Sequence, residues 1–303
     1  MAEPALTNPA VDTSQPEKKH LVVGLLLLGG LLFLRLPFLT LAATLLSDNA
    51  SAAGTAITII FDGGTYLLTA ILIWWERERL GKFWIDLAAA ITFLCQTFCF
   101  PIGIGLFWAM RRTRARFPAP PKGVWRWLLT GAILAIACGM LIMALRINPA
   151  HPRGPSSASF PQFVVGILVM MTNAAVWEEP LFRGFLWGYL RLAKWKNVWI
   201  WLFQAVLFTL GHVYYLRSEA FVPWLIRMLL PSLLIGFIAW RAGSIFASMV
   251  THGTFNACGD MLFHSKSLSG AMQVAWSGMI ILAVILGCVL IFEWRGKYQA
   301  PKG

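Results

Sequence analysis

The chain has 303 residues, of which 58% are hydrophobic and 13% charged, with a formal net charge of +12. Soluble domains average about 45–50% apolar and about 25% charged residues, so this composition excludes a water-soluble domain and points to a protein with several membrane spans. Nucleic-acid binding is excluded as well, because Lys and Arg sit in short loops between apolar runs and form no extended basic tract; such loops set membrane topology and meet anionic lipid.

Residues 1–20 are polar and carry Pro4, Pro9 and Pro16, which predicts a disordered N-terminal tail. The apolar run that follows, 21–46, far exceeds the h-region of about 7–15 residues in a secretory signal peptide. A spanning helix needs about 20 apolar residues. Segments that qualify are 21–46, 55–75, 84–110, 127–145, 160–190, 198–216, 221–241, 244–263 and 272–292. The expected fold is all-α, a polytopic bundle of about eight membrane-spanning helices. Its parts are the tail, N-terminal transmembrane helices over 21–159, a polar-residue-bearing set over 160–263, and a C-terminal transmembrane helix and tail over 264–303. The 15 Trp and 21 Phe suit aromatic belts at the two water interfaces. Five cysteines lie inside apolar segments and form no Cys-x-x-Cys pair, so they read as small packing residues.

Basic residues set the expected orientation. Arg111, Arg112, Arg114, Arg116, Lys122 and Arg126 precede 127–145, whereas Arg191, Lys194 and Lys196 follow 160–190 and Arg295, Lys297 and Lys302 lie near the C-terminus. Cytoplasmic loops hold the excess of Lys and Arg, which puts the C-terminus in the cytoplasm. Segment 84–110 then starts and ends on one side. It is read as re-entrant, with a break at residues 100–105, and this gives eight crossings rather than nine.

Ionisable residues within the apolar segments are costly, about 2.5–3.5 kcal/mol each at mid-depth, and mark function by default. The densest group is in Trp177-Glu178-Glu179-Pro180-Leu181-Phe182-Arg183. Glu179 and Arg183 are four apart, so they share a helical face and suit a salt bridge. Glu178 points about 100° away from Glu179 and is free for another task, such as taking a proton from water. Pro180 lacks an N–H and should disturb the helix beside the pair, releasing the carbonyl of Val176. His212 can hold a metal or donate a hydrogen bond, and His252 and Asn256 sit one turn apart on one face. At about 1.5 Å rise per residue, Glu178, His212 and His252 lie roughly 18, 21 and 12 Å from the cytoplasmic ends of their segments, within one layer given tilt. Such a set could polarise a carbonyl while Glu178 activates water. Arg35, Asp62, Arg227 and Asp260 read as packing, kink or interfacial residues instead.

The order Glu178-Glu179-x-x-x-Arg183, Phe208-x-x-x-His212, His252-x-x-x-Asn256 on successive membrane helices resembles the CPBP family of intramembrane proteases. That family includes type II CAAX prenyl endopeptidases and bacteriocin-processing or self-immunity proteins. The resemblance covers about residues 160–260 and implies an intramembrane endopeptidase acting on a membrane-anchored or prenylated peptide substrate. It implies that Glu178 is the water-activating base, assisted by His212. His252 and Asn256 would complete the site as oxyanion donors or as ligands, and Glu179 and Arg183 would support it. A metal-free mechanism and a zinc held by Glu178, His212 and His252 are both compatible with it, although the chain has no His-Glu-x-x-His motif. Two other readings are a peptide-binding or immunity protein without catalysis and an ion- or proton-coupled transporter; no second copy of the Glu-Glu-x-x-x-Arg segment supports the latter. The expected location is a prokaryotic inner membrane.

Overall fold

The computed structural model describes residues 22–26, 28–29, 123–145, 159–171, 176–213, 216, 220–264 and 268–298. The tail 1–20, segments 55–75 and 84–110 with the break at 100–105, most of 21–46, and Arg35 and Asp62 lie outside the described residues. Among the described residues the protein is helical throughout and contains no strand, as the all-α expectation requires. The helices are α1 (Val124–Ala144), α2 (Phe160–Met170), α3 (Val176–Glu179), a π-helical turn (Pro180–Leu186), α4 (Trp187–Leu192), α5 (Asn197–Leu210), α6 (Phe221–Ala242), α7 (Ile245–His264) and α8 (Leu268–Tyr298).

Three of these, α1, α6 and Leu268–Trp294 of α8, are long and apolar enough to cross a bilayer. The 21 residues of α1 rise about 31 Å, close to the hydrocarbon thickness of about 30 Å. The chain forms two compact units, one from Pro120–Val176 and Ser218–Gly303, the other from Met1–Ala119 and Trp177–Arg217.

In the first of these units α7 packs against α1, α2 and α6, and α8 lies along α1. Gly131, Ala135 and Gly139 repeat every four residues and so form a small-residue face on α1. A Cβ on Gly131 would run into Thr251, and one on Gly139 would stand 3.0 Å from Cys258 Sγ. Lipid gives helices no hydrophobic reason to associate, so close backbone approach of this kind supplies the attraction. It explains why α7 can be polar: Ser248, Thr251, His252 and Thr254 are all buried. Ser248 Oγ donates to the Ile245 carbonyl and Thr251 Oγ1 to that of Ala247, both at 2.8 Å, which satisfies two hydroxyls within the helix. The core around them includes Ile136, Met140, Phe163, Met261 and Leu262. By contrast α8 turns Trp276, Ile280, Val284, Ile291 and Phe292 outward, an apolar surface suited to acyl chains.

The N-terminus of α2 is fixed by a capping box. The backbone N–H groups of Ser159 and Gln162 each bond the other residue's side-chain oxygen. Where α6 ends, Gly243 takes the left-handed conformation (φ 63°) and Ser244 Oγ accepts from the Phe246 N–H at 3.1 Å, starting α7.

The second unit holds α4, α5 and the π-helical turn between them and Glu179. The uninterrupted segment 160–190 of the sequence reading becomes α2 at one end and the α3–π–α4 run at the other. Segment 198–216 also differs, because α5 stops at Leu210 and leaves His212 on the turn beyond it. The last turn tightens there: Thr209 Oγ1 bonds back to the Ala205 carbonyl at 2.8 Å, and His212 N–H reaches the Thr209 carbonyl at 3.0 Å.

Candidate active site

The acidic pair owes its setting to Pro180. Proline brings no N–H for the Val176 carbonyl four residues back and its ring crowds that carbonyl, which disturbs the regular α-helix at this point. The chain widens instead into seven residues of π-helix, Pro180–Leu186, a feature that concentrates at functional sites. Leu181, Phe182, Arg183, Phe185 and Leu186 are all buried along it. Glu179 and Arg183 are fully buried, and Glu178 is 5% exposed.

Arg183 Nη1 donates to Glu179 Oε1 at 3.1 Å. The guanidinium also lies 4.7 Å from the centre of the Phe208 ring and 5.8 Å from that of Phe182. These two rings meet edge to face at 5.2 Å. The buried cation therefore has a carboxylate on one side and aromatic faces beside it, and both partly replace its lost hydration. Removing either charge would upset the balance of a buried cluster in which Glu178 also acts on Arg183.

Glu178 faces a different partner. Its Oε1 stands 4.0 Å from His212 Nε2. The other ring nitrogen, Nδ1, is 2.8 Å from the Phe208 carbonyl oxygen. A carbonyl oxygen only accepts, so Nδ1 carries the proton of this bond and a neutral ring presents a bare Nε2 to Glu178. The rings of His212 and Phe208 also pack at 4.5 Å, which holds the imidazole against α5. Phe208 thus sets the tautomer through its backbone and supports Arg183 with its ring. The sequence reading gave Phe208 no role, though its four-residue spacing from His212 carries the signal for the first of these functions.

Two acceptors 4.0 Å apart do not bond to each other, but one water can donate to both. A water oxygen about 2.8 Å from each atom would bridge that gap with an angle of about 90°. Zinc fits less well. Bonds of about 2.0–2.2 Å at the tetrahedral angle bring two ligand atoms to within about 3.4 Å. Among the described residues no group of three His, Cys, Asp or Glu is placed to hold a metal ion. The zinc set expected from Glu178, His212 and His252 draws on both units, so this spacing bears only on its Glu178–His212 half.

His252 and Asn256 belong to the other unit, one turn apart on α7. His252 is buried and Asn256 half-buried. Their neighbour Gly253 lies against α2, where a Cβ would come 2.9 Å from the Ile167 carbonyl oxygen. Thr254, between them in sequence, is fully buried, and its Oγ1 has no hydrogen-bond partner among the described residues.

Long apolar helices define an integral membrane protein, helical throughout its described residues, in which the buried Glu178 carboxylate stands beside the half-buried His212 imidazole. Residues 160–258 match the model of a family described as Rce1-like, type II CAAX prenyl endopeptidase. The matched stretch contains Glu178, Glu179, Arg183, His212, His252 and Asn256, and agrees with the resemblance read from the three motifs. Neither the curated proteins nor the solved structures contain a match.

Proposed function

We propose that this chain is an intramembrane endopeptidase that hydrolyses a peptide bond in a membrane-anchored or prenylated substrate, with Glu178 as the base. The observation that carries the reading is the 4.0 Å spacing of Glu178 Oε1 and His212 Nε2, with the tautomer of His212 set by the Phe208 carbonyl. A water held between those two acceptors has both protons engaged and a lone pair available for attack. Glu178 takes one proton as the oxygen adds to the scissile carbonyl, forming a tetrahedral intermediate. The C–N bond then breaks, and the proton passes from Glu178 to the leaving amine.

The oxyanion of that intermediate needs donors. His252 and Asn256 are assigned this role on their motif within the matched stretch, an imidazole and an amide presented from one helical face. Glu179 and Arg183 brace the π-helical turn that carries Glu178. No step passes through a metal. The family match supports the substrate class, a protein held at the membrane by a lipid near its C-terminus.

Cleavage of a membrane-anchored reporter by the full-length protein tests this assignment. Glu178→Ala and His212→Ala should each abolish cleavage in protein that still purifies as a folded species. Wild-type cleavage by either variant removes the catalytic reading and leaves a peptide-binding role.

A further inference from the structure

The turn between α4 and α5 has two features that local stability does not explain. The first is Lys194. α4 ends in a Schellman arrangement, in which Lys194 N–H bonds the Arg191 carbonyl at 2.9 Å and Trp195 N–H bonds that of Leu190 at 3.0 Å. This closure needs a left-handed residue, and Lys194 fills the position with φ 64°. Among the described residues it is the one non-glycine with positive φ. Glycine adopts that conformation without the Cβ penalty, so an ammonium-bearing side chain is held here at a cost. The second feature is Lys196, the N-cap residue of α5, which makes no side-chain cap bond. Helix N-termini favour Asp, Asn, Ser or Thr, and the helix dipole opposes a cation there.

Both oddities put positive charge at one spot. With Arg191, three cations fall within six positions, and no Asp or Glu occurs anywhere between Pro180 and Arg217. The first-turn N–H groups of α5 add further positive potential.

An open apolar groove of about 680 Å³ begins at these lysines. Trp195, Trp199, Phe203 and Val206 line it along α5. Each of these four is at least 41% exposed, and Trp195 and Phe203 touch edge to face at 5.5 Å. From Lys196 to Val206 the helix rises about 15 Å, half of a hydrocarbon core of about 30 Å. The groove therefore has the length of one leaflet, with the cations at one end.

We propose that this surface is a binding site for an anionic phospholipid. The phosphate sits between the Lys194 and Lys196 ammonium groups at the head of α5, and an acyl chain lies along Trp199, Phe203 and Val206. A zwitterionic lipid would bring its own cation to the same spot, whereas phosphatidylglycerol brings only the negative charge. The assignment uses none of the residues given a catalytic role.

Native mass spectrometry of the full-length protein, released from micelles containing equal phosphatidylglycerol and phosphatidylcholine, tests it. Wild type should retain phosphatidylglycerol preferentially. The double variant Lys194→Gly, Lys196→Gln should lose that preference by on the order of tenfold, since each interfacial lysine contributes several-fold to anionic-lipid affinity. Glycine suits φ 64°, so the turn survives this substitution. Lys194→Arg with Lys196→Arg should keep the preference. Trp199→Ala with Phe203→Ala should lower retention of both lipids while leaving their ratio unchanged. An undiminished phosphatidylglycerol preference in the Gly/Gln variant would overturn the proposal. So would stoichiometric displacement of the bound lipid by a prenylated peptide, which would assign the groove to substrate.

Discussion

His212 turns its Nε2 towards Glu178 at 4.0 Å while its Nδ1 is committed to the Phe208 carbonyl at 2.8 Å. The two distances together define what the imidazole contributes. A ring free to flip would present either nitrogen, protonated or bare, to the carboxylate. Anchored through Nδ1, the ring when neutral offers a lone pair at a fixed place, and in the proposed mechanism a water shared with Glu178 would be oriented as well as activated.

His212 should therefore respond to substitution by more than charge. His212→Gln puts an amide where the imidazole was, without a rigid ring between two hydrogen-bonding atoms. Reporter cleavage should fall by about 10²–10⁴-fold, the usual contribution of a positioned acid–base group. Thermal unfolding in detergent should move little, because His212 lies beyond the end of α5 and is not fully buried. A large drop in stability with cleavage preserved would make it a structural residue.

Glu179 and Arg183 should show the opposite pattern. Breaking a buried ion pair by removing one partner costs about 3–5 kcal/mol, since the remaining charge is left away from water. Glu179→Ala or Arg183→Ala should thus destabilise the protein strongly. Replacing both with apolar residues of similar size should recover much of the loss. Phe208→Leu should cost less, on the order of 0.5–2 kcal/mol for the cation–π contact alone. It keeps the backbone carbonyl that sets the His212 tautomer but loses the ring packed at 4.5 Å against the imidazole, so cleavage per folded molecule should fall less than in His212→Gln. Unfolding midpoints of the four variants decide the matter.

Two helical glycines should give opposite signs. Gly253 sits against α2, where a Cβ would come 2.9 Å from a backbone oxygen that cannot swing aside. Gly253→Ala should cost about 1–3 kcal/mol, the usual penalty of overpacking. Among the described residues nothing beyond its own helix backbone and chain neighbours lies within 4 Å of a Cβ built on Gly287 of α8, so Gly287→Ala should be neutral or stabilising by up to about 1 kcal/mol, the propensity gain. Equal effects at the two sites would mean that α2 and α7 are not in contact at Gly253.

Metal removal should leave the rate unchanged. A carboxylate and an imidazole nitrogen 4.0 Å apart suit a shared water better than a tetrahedral zinc. Chelator treatment with elemental analysis of the purified protein checks this. A stoichiometric metal whose loss stops cleavage, and whose return restores it, would refute the metal-free mechanism.

Among the described residues the helical class and most segment ends were legible in the sequence, because apolar runs of spanning length leave few alternatives. Observed α6 covers Phe221–Ala242, against an expected 221–241. The i, i+4 spacing likewise predicted which face Glu179 and Arg183 share. Other features were not legible. The π-helical turn depends on how the chain absorbs the missing N–H of Pro180, and hydropathy is blind to that choice. The position of His212 beyond α5 depends on the Thr209 and His212 hydrogen bonds that close the helix early. Hydropathy alone also underrates α7, whose buried hydroxyls are satisfied within the helix, so polarity there does not mean exposure to water.

The central claim is that Glu178 is the base, and single-turnover cleavage of a lipidated peptide by Glu178→Gln in proteoliposomes tests it most directly. Glutamine keeps the size and the acceptor oxygen of the side chain but cannot take the proton. The variant should bind the peptide with wild-type affinity and cleave it at least about 100-fold more slowly. Cleavage at the wild-type rate by Glu178→Gln would move the catalytic base elsewhere in the chain.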